Sequence, residues 1–185
     1  MSNYEKKLID FIKSVEVYTP RIYIDSVGAL TGGAGTNLVQ LQIDNKKNIT
    51  TAKEMNANIL RDVLPAGDSK DTVNEIINTY KNALNNWDEK DKNNAVRINN
   101  ANEFSNSNFK TELEKYFSVE WKLIKVSETN KSAFVIEITG IKKNNALIPV
   151  GDTVTRAEAE AAVAIFIKKI LNQKLMMHLE RMQLS

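Results

Sequence analysis

The chain has 185 residues and a formal net charge of +2, and 42% of its residues are hydrophobic. This composition fits one globular domain, or one domain with a sizeable insertion, and excludes a disordered chain. The charge is too small to indicate general attraction to nucleic acid. With no cysteine and one histidine, His178, the chain has neither a thiolate nucleophile nor a multi-histidine metal site. Carboxylates and hydroxyls remain as candidate catalytic groups, and we expect no metal and no cofactor.

The N-terminal segment is predicted to form a helix over residues 3–16. Its apolar residues follow the spacing of one buried helix face: Leu8, Ile9, Phe11, Ile12 and Val15. Pro20 ends this pattern, because proline disfavours a helical conformation in the residue before it and has no N–H to donate. The segment has no long apolar run, so we expect neither a cleavable secretion signal nor a membrane span.

Residues 21–43 are predicted to form a small β-hairpin or meander. β-Prone runs at 22–24 and 38–43 flank a segment with glycines at positions 28, 32, 33 and 35. A phosphate-binding loop is the other function of such glycines, but no Lys-Ser or Lys-Thr pair follows them, and we reject it.

The next hundred residues are predicted to mix helices and strands. We expect helices at 50–64, 69–87 and 108–117, strands at 118–127 and 133–141, and a loop over the Asn-, Asp- and Lys-rich residues 88–108. The second helix has one apolar stripe that includes Tyr80 and Trp87, which we interpret as core and not as a sugar-binding platform. Ser69 is its candidate N-cap. A last helix, capped by Thr153 or Thr155, is predicted to run to about Met182.

Two carboxylates near the N-terminus are candidates for acid/base chemistry. Glu16 lies at the predicted end of the first helix among apolar neighbours, which would raise its pKa and keep it protonated. Asp25 opens the glycine-rich turn, where solvent and free backbone N–H groups would keep it ionised. The Thr31 hydroxyl could hold a water molecule. Two carboxylates in contrasting environments are what glycoside hydrolysis requires, although two surface carboxylates are the simpler alternative.

The pattern Tyr23-x-Asp25-x-x-Gly28-x-x-Thr31-x-Gly33-x-Gly35 resembles the catalytic hairpin of phage-type lysozymes, glycoside hydrolase family 24. In that family the catalytic Glu precedes the Asp by nine residues and the Thr follows it by six, and Glu16, Asp25 and Thr31 reproduce both intervals. The resemblance implies that Glu16 is the general acid, and that Asp25 and Thr31 position water in an inverting hydrolysis of the MurNAc–GlcNAc β-1,4 bond. We assign Tyr23, Gly33 and Asn37 to substrate binding.

A second similarity lies downstream. Residues 154–160, Val-Thr-Arg-Ala-Glu-Ala-Glu, are similar to the opening of the helix that links the two lobes in this family. The resemblance therefore implies an α+β fold with a lysozyme-like N-terminal lobe: the catalytic helix and hairpin at 1–43, a mixed insertion at 44–150 and the linking helix at 151–185. Three positions depart from the family pattern, namely Val17, Gly32 and Thr36.

The last helix stays rich in Leu and Met to its end, which is unusual for a helix that faces water. It either packs on the insertion or docks a helical lobe from another polypeptide, which would complete the second wall of the cleft. The resemblance implies a phage lytic or tail-associated muramidase, with peptidoglycan, that partner chain and virion tail components as partners, and with neither nucleic acid nor membrane.

We expect the protein in the virion, or in the host cytoplasm with export to the periplasm or cell wall. The alternatives are a phage tail or baseplate protein that keeps a non-catalytic hairpin, and a wall-binding module without cleavage.

Overall fold

The computed structural model describes residues 1–46, 49–87, 100, 103, 108–126 and 130–183. Its helices are α1 (Asn3–Val15), α2 (Ala57–Val63), α3 (Asp68–Asn85), α4 (Asn108–Tyr116) and α5 (Arg156–Gln183). Its strands are β1 (Tyr18–Ile24), β2 (Leu30–Ala34), β3 (Thr36–Ile43), β4 (Ile49–Glu54), β5 (Phe117–Lys125), β6 (Ser132–Lys143) and β7 (Ala146–Pro149). The predicted α+β class is confirmed, and most of the predicted loop 88–108 lies outside the described residues.

All seven described strands belong to one antiparallel sheet in the order β4-β3-β2-β1-β6-β5, with β7 paired to β6. β1 to β4 form a meander, as predicted in part. After the helices α2 to α4, the chain returns to place β6 beside β1, where Tyr23 pairs with Glu137 and Ile24 with Ile136. Residues 44–150 therefore extend the sheet of the N-terminal meander at both edges, and the two segments share one core.

Helix α1 is defined at both ends. A capping box at its start joins the Glu5 N–H to Ser2 Oγ (3.2 Å) and the Ser2 N–H to Glu5 Oε2 (2.6 Å). The helix ends where the backbone of Glu16 becomes extended. Phe11 and Val15 were predicted to be buried, which is wrong because both are exposed. The reason is that α1 packs mainly along α5, which covers only a narrow stripe of it.

The predicted helix 50–64 is also wrong in its first part. Residues Ile49–Glu54 form β4, which pairs with β3, and the helix α2 begins only at Ala57. Thr50 and Thr51 are β-branched, which favours a strand over a helix. β7 was not predicted at all, although Asn144 and Asn145, both with positive φ, form the two-residue turn before it.

The core lies between the sheet and the helices α2, α3 and the first half of α5. The predicted apolar stripe is confirmed, because its members are all buried: Val73, Ile76, Ile77, Tyr80 and Leu84 in α3, and Trp87 just after its end. The predicted N-cap Ser69 is wrong, since the helix begins at Asp68 after Gly67.

Helix α5 begins at a capping box between Thr155 and Glu158, which confirms Thr155 as the cap. Ala159, Ala162 and Ile167 are buried, whereas residues 172–182 are exposed on every side. No helix among the described residues is both long and apolar enough to cross a bilayer.

Gly33 provides a test of how α5 packs on the sheet. Its φ is +61°, and a Cβ there would lie 2.9 Å from the Ala159 Cβ and 3.3 Å from Val154 Cγ1. We expect Gly33→Ala to lower the free energy of unfolding by about 2–3 kcal/mol, from backbone strain and overpacking. The matched control, Gly151→Ala, has open space around its Cα and should change it by less than about 0.5 kcal/mol. Equal urea denaturation midpoints for the two variants would contradict this packing.

Candidate active site

Glu16 lies where α1 ends, as predicted, and its backbone N–H donates to the Ile12 carbonyl at 2.9 Å. Its carboxyl group lies directly against the Cα of Gly35, because a Cβ on Gly35 would stand only 2.8 Å from Glu16 Cδ. Gly35 also has a φ of +73° at the junction of β2 and β3. A glycine is therefore needed at position 35 for two reasons: the tight junction and the close approach of this carboxylate.

Three polar side chains form a row across β1, β2 and β3. The strand register pairs Tyr23 with Thr31 and Thr31 with Asn37, and directly paired residues lie on the same face of a sheet. The Thr31 hydroxyl donates to Asn37 Oδ1 at 3.1 Å, and the carbonyl of Ala29 at 3.3 Å is its other acceptor. Tyr23 and Thr31 are buried, so their positions are fixed by packing as well as by these bonds.

Asp25 follows β1 and organises the turn between β1 and β2. Its Oδ1 accepts hydrogen bonds from the backbone N–H groups of Val27 (3.0 Å) and Ala29 (2.8 Å). Helix α3 also stabilises the turn, because its buried Tyr80 hydroxyl donates to the Gly28 carbonyl. Asp25 is thus fixed both within its own turn and by the core.

These side chains line one cleft of about 630 Å³. The cleft brings together Glu16, Asp25 and Thr31, and with them Tyr23 and Asn37. Gly33, the third residue assigned to substrate binding, does not line it; its Cα lies against Val154 and Ala159, where the missing side chain lets α5 approach the sheet.

Part of the cleft is lined by residues that the sequence did not point to. They belong to β6 and to the segment after β5: Val126, Ser132, Ala133, Phe134 and Val135. They reach the cleft because β6 pairs with β1, and no local motif encodes that pairing. This chain therefore contributes its own β5–β6 hairpin to the lining of the cleft.

Burial dominates the electrostatics of the site. It raises the pKa of Glu16, as predicted. It also raises the pKa of Asp25, because it outweighs the hydrogen bonds from the backbone of Ala29, Val27 and Gly28. The prediction of contrasting environments is therefore wrong, because burial raises the pKa of both carboxyl groups. The backbone N–H groups predicted at Asp25 are present, but they do not outweigh its burial. The pKa of Tyr23 is raised by burial and then by the negative charges of Glu16 and Asp25, so its phenol stays neutral.

The raised pKa of Glu16 predicts that the free energy of unfolding depends on pH. A carboxyl group whose pKa is higher in the fold contributes stability below its ordinary value, 4.5 for Glu16, and loses it as the pH rises through the folded value. We therefore expect the stability of the natural protein relative to Glu16→Gln to fall as the pH rises above the ordinary value of 4.5.

The matched control is Glu5→Gln on the same helix. Hydrogen bonds to the Ser2 backbone lower the pKa of Glu5, so its contribution is present above the ordinary value and lost as the pH falls. The two variants should therefore show opposite pH trends in urea denaturation. Parallel trends would contradict the raised pKa of Glu16.

Tyr80→Phe tests the support beneath the Asp25 turn. The substitution keeps the buried ring and leaves the Gly28 carbonyl without its donor, which should cost about 1–3 kcal/mol of stability. Amide hydrogen exchange at Val27 and Ala29 should become faster, because their bonds to Asp25 depend on the turn. The exposed Tyr4→Phe is the control, expected within about 0.5 kcal/mol. Unchanged exchange rates in Tyr80→Phe would show that the turn does not depend on the Tyr80 hydrogen bond.

The groups in the cleft can exchange protons and bind hydroxyl and amide groups. Among the described residues no three His, Asp or Glu side chains converge as a metal ion would require. Carboxyl, phenol, hydroxyl and amide groups instead offer donors and acceptors suited to a neutral polyhydroxylated substrate. No protein-family model, no curated protein and no solved structure matches this chain.

Proposed function

We propose that this protein is a phage-type lysozyme, a muramidase that hydrolyses the MurNAc–GlcNAc β-1,4 bond of peptidoglycan. One observation carries the proposal: Glu16, Asp25 and Thr31, which have the spacing of that family's catalytic residues, line the same cleft. In this proposal α1, the β1–β3 meander and α5 form the lysozyme-like lobe, and the β5–β6 hairpin is an addition of this chain.

Glu16 acts as the general acid. Its carboxyl group lies against Gly35 and its pKa is raised by burial, which favours the protonated form that an acid needs. It donates its proton to the glycosidic oxygen as the bond from that oxygen to the anomeric carbon breaks. The leaving sugar departs with a free hydroxyl group, and Glu16 is left as a carboxylate.

Asp25 and Thr31 act on the water. In an inverting reaction the water attacks the anomeric carbon from the face opposite the leaving group and gives its proton to a carboxylate base. The N–H groups of Val27 and Ala29 hold the Asp25 carboxylate in place. Its raised pKa makes it a stronger base once it is ionised. Thr31, whose hydroxyl donates to Asn37 or to Ala29, keeps its oxygen lone pairs free to accept from the water.

The proposal includes a helical partner chain. Residues 172–182 of α5 are exposed on every side, and five large apolar residues among them form the candidate contact: Leu175, Met176, Met177, Leu179 and Met182. Leu and Met at helical spacing are suited to packing against other helices. A helical lobe seated on this segment would enlarge the cleft, and the complex would act in the virion or at the cell wall.

Release of reducing ends from purified peptidoglycan tests the reaction. We expect Glu16→Gln and Asp25→Asn each to lower kcat by at least about 100-fold, because each loses a proton-transfer group. Activity should rise with pH as Asp25 loses its proton and fall as Glu16 loses its own. Asp62→Asn, at an exposed position of α2, is the matched control and should retain full activity.

Two results would contradict the enzyme. In one, the chain releases nothing, alone or mixed with candidate helical partners, which favours a tail or baseplate protein. In the other, Glu16→Gln is as active as the natural chain. Sedimentation with peptidoglycan that persists in Glu16→Gln, without cleavage by either protein, would indicate a wall-binding module.

A further inference from the structure

Helix α1 has an apolar side that no element among the described residues covers. Its members follow the alternating spacing of four and three residues that places side chains in one row along a helix: Tyr4, Leu8, Phe11 and Val15. Tyr4 is 65% exposed and Phe11 61%, whereas Leu8 is partly buried against the core. This row, the α1 stripe, ends at Val15, which lines the cleft together with Glu16.

Helix α5 runs antiparallel to α1 and continues past its start. Lys13 pairs with Glu160 at 3.1 Å. A hydrogen bond at the start of α1, and after it the charge of Lys168, lower the pKa of Glu5. Position 13 thus lies beside position 160 and position 5 beside position 168, so the first residue of α1 lies beside about residue 170. Residues 172–182, the projecting end of α5, therefore extend beyond α1.

The projecting end is apolar around most of its circumference. Successive residues of a helix are about 100° apart, so Met176 and Met177 lie on other sides of it than Leu175, Leu179 and Met182. Each of the five is exposed. A helix that is apolar on several sides is typical of a position among other helices. One neighbouring helix would therefore leave part of this surface in water.

The two uncovered surfaces match in length. Helix α1 has 13 residues and is about 20 Å long, and the projecting end is about 16 Å long. A standard protein interface takes about 20–30 residues from each partner, and these two segments together supply most of that number. The net charge of +2 gives little repulsion between two copies of the chain.

The two surfaces cannot meet within one copy. Helix α5 is continuous over Arg156–Gln183, and α1 lies beside its first part. In a two-fold dimer each copy offers the same surfaces to the other, so the stripe and the projecting end of both copies are covered at once. A different partner would have to supply a separate complement for each surface.

We propose that the helical partner is a second copy of this chain, and that the projecting end of α5 in each copy lies on the α1 stripe of the other. The proposal rests on the function proposed above, since it names the partner chain included there. Because the stripe ends at Val15, the helix of the second copy extends the wall of the cleft beside Glu16.

Light scattering after size exclusion tests the dimer. We expect the natural chain to have twice its monomer mass of 20.8 kDa. Phe11→Glu and the double variant Leu175→Glu, Leu179→Glu should be monomers with an unchanged circular dichroism spectrum, because the dimer would bury their new charges without partners. Leu147→Glu, at an exposed apolar position of β7, is the matched control and should remain a dimer. A natural chain that stays at 20.8 kDa up to about 0.1 mM would overturn the proposal.

Cross-linking tests which surfaces meet. The chain has no cysteine, so thiols can be introduced at position 11 and at position 175 or 179, which are one turn apart. Within one copy position 11 lies beside about residue 162, which is about 25 Å from residue 179 along α5. A short bismaleimide should therefore join Phe11→Cys, Leu179→Cys or Phe11→Cys, Leu175→Cys chains only into covalent dimers. Failure of both, or equal cross-linking of Leu179→Cys alone, would overturn this arrangement.

Hydrolysis separates this proposal from the proposed function. The monomeric variants should hydrolyse peptidoglycan at least about tenfold more slowly than Leu147→Glu, because their cleft lacks the added wall. A monomeric natural chain with full activity, or one activated only by a different helical chain, would overturn the second copy alone. A dimer cross-linked as expected but without hydrolysis would support the second copy and overturn the enzyme. If the glutamate variants do not fold, the cross-linking decides.

Discussion

The pairing of β1 with β6 is the interaction on which the rest of the site depends. It consists of two residue pairs, Tyr23 with Glu137 and Ile24 with Ile136. A buried ionic group reinforces it: Glu137 accepts from Thr19 Oγ1 at 2.8 Å and from Lys122 Nζ at 2.6 Å, and Arg21 lies 3.6 Å away. A buried carboxylate without such partners would oppose folding. Because these contacts join β1 and β5 to β6, they place the hairpin beside the Asp25 turn.

The cleft lowers the stability of the fold. Two carboxyl groups have raised pKa values there, so their ionised forms cost stability that the core must offset. Two contacts provide rigidity at this point: Gly35 lets Glu16 approach the sheet, and Tyr80 holds the Asp25 turn from the buried side. A glycine and a tyrosine therefore determine where the carboxyl groups of Glu16 and Asp25 lie.

The sequence predicts what is encoded locally. The end of α1 at Glu16, the stripe of α3 and the Thr155 cap all depend on residues within a few turns of each other, and they are found. Exposed Phe11, strand β4 and the lining by Phe134 depend instead on which elements pack together. Gly33 is a further example. The sequence assigns it to substrate binding, but in the structure its Cα packs against Ala159 of α5 and against Val154.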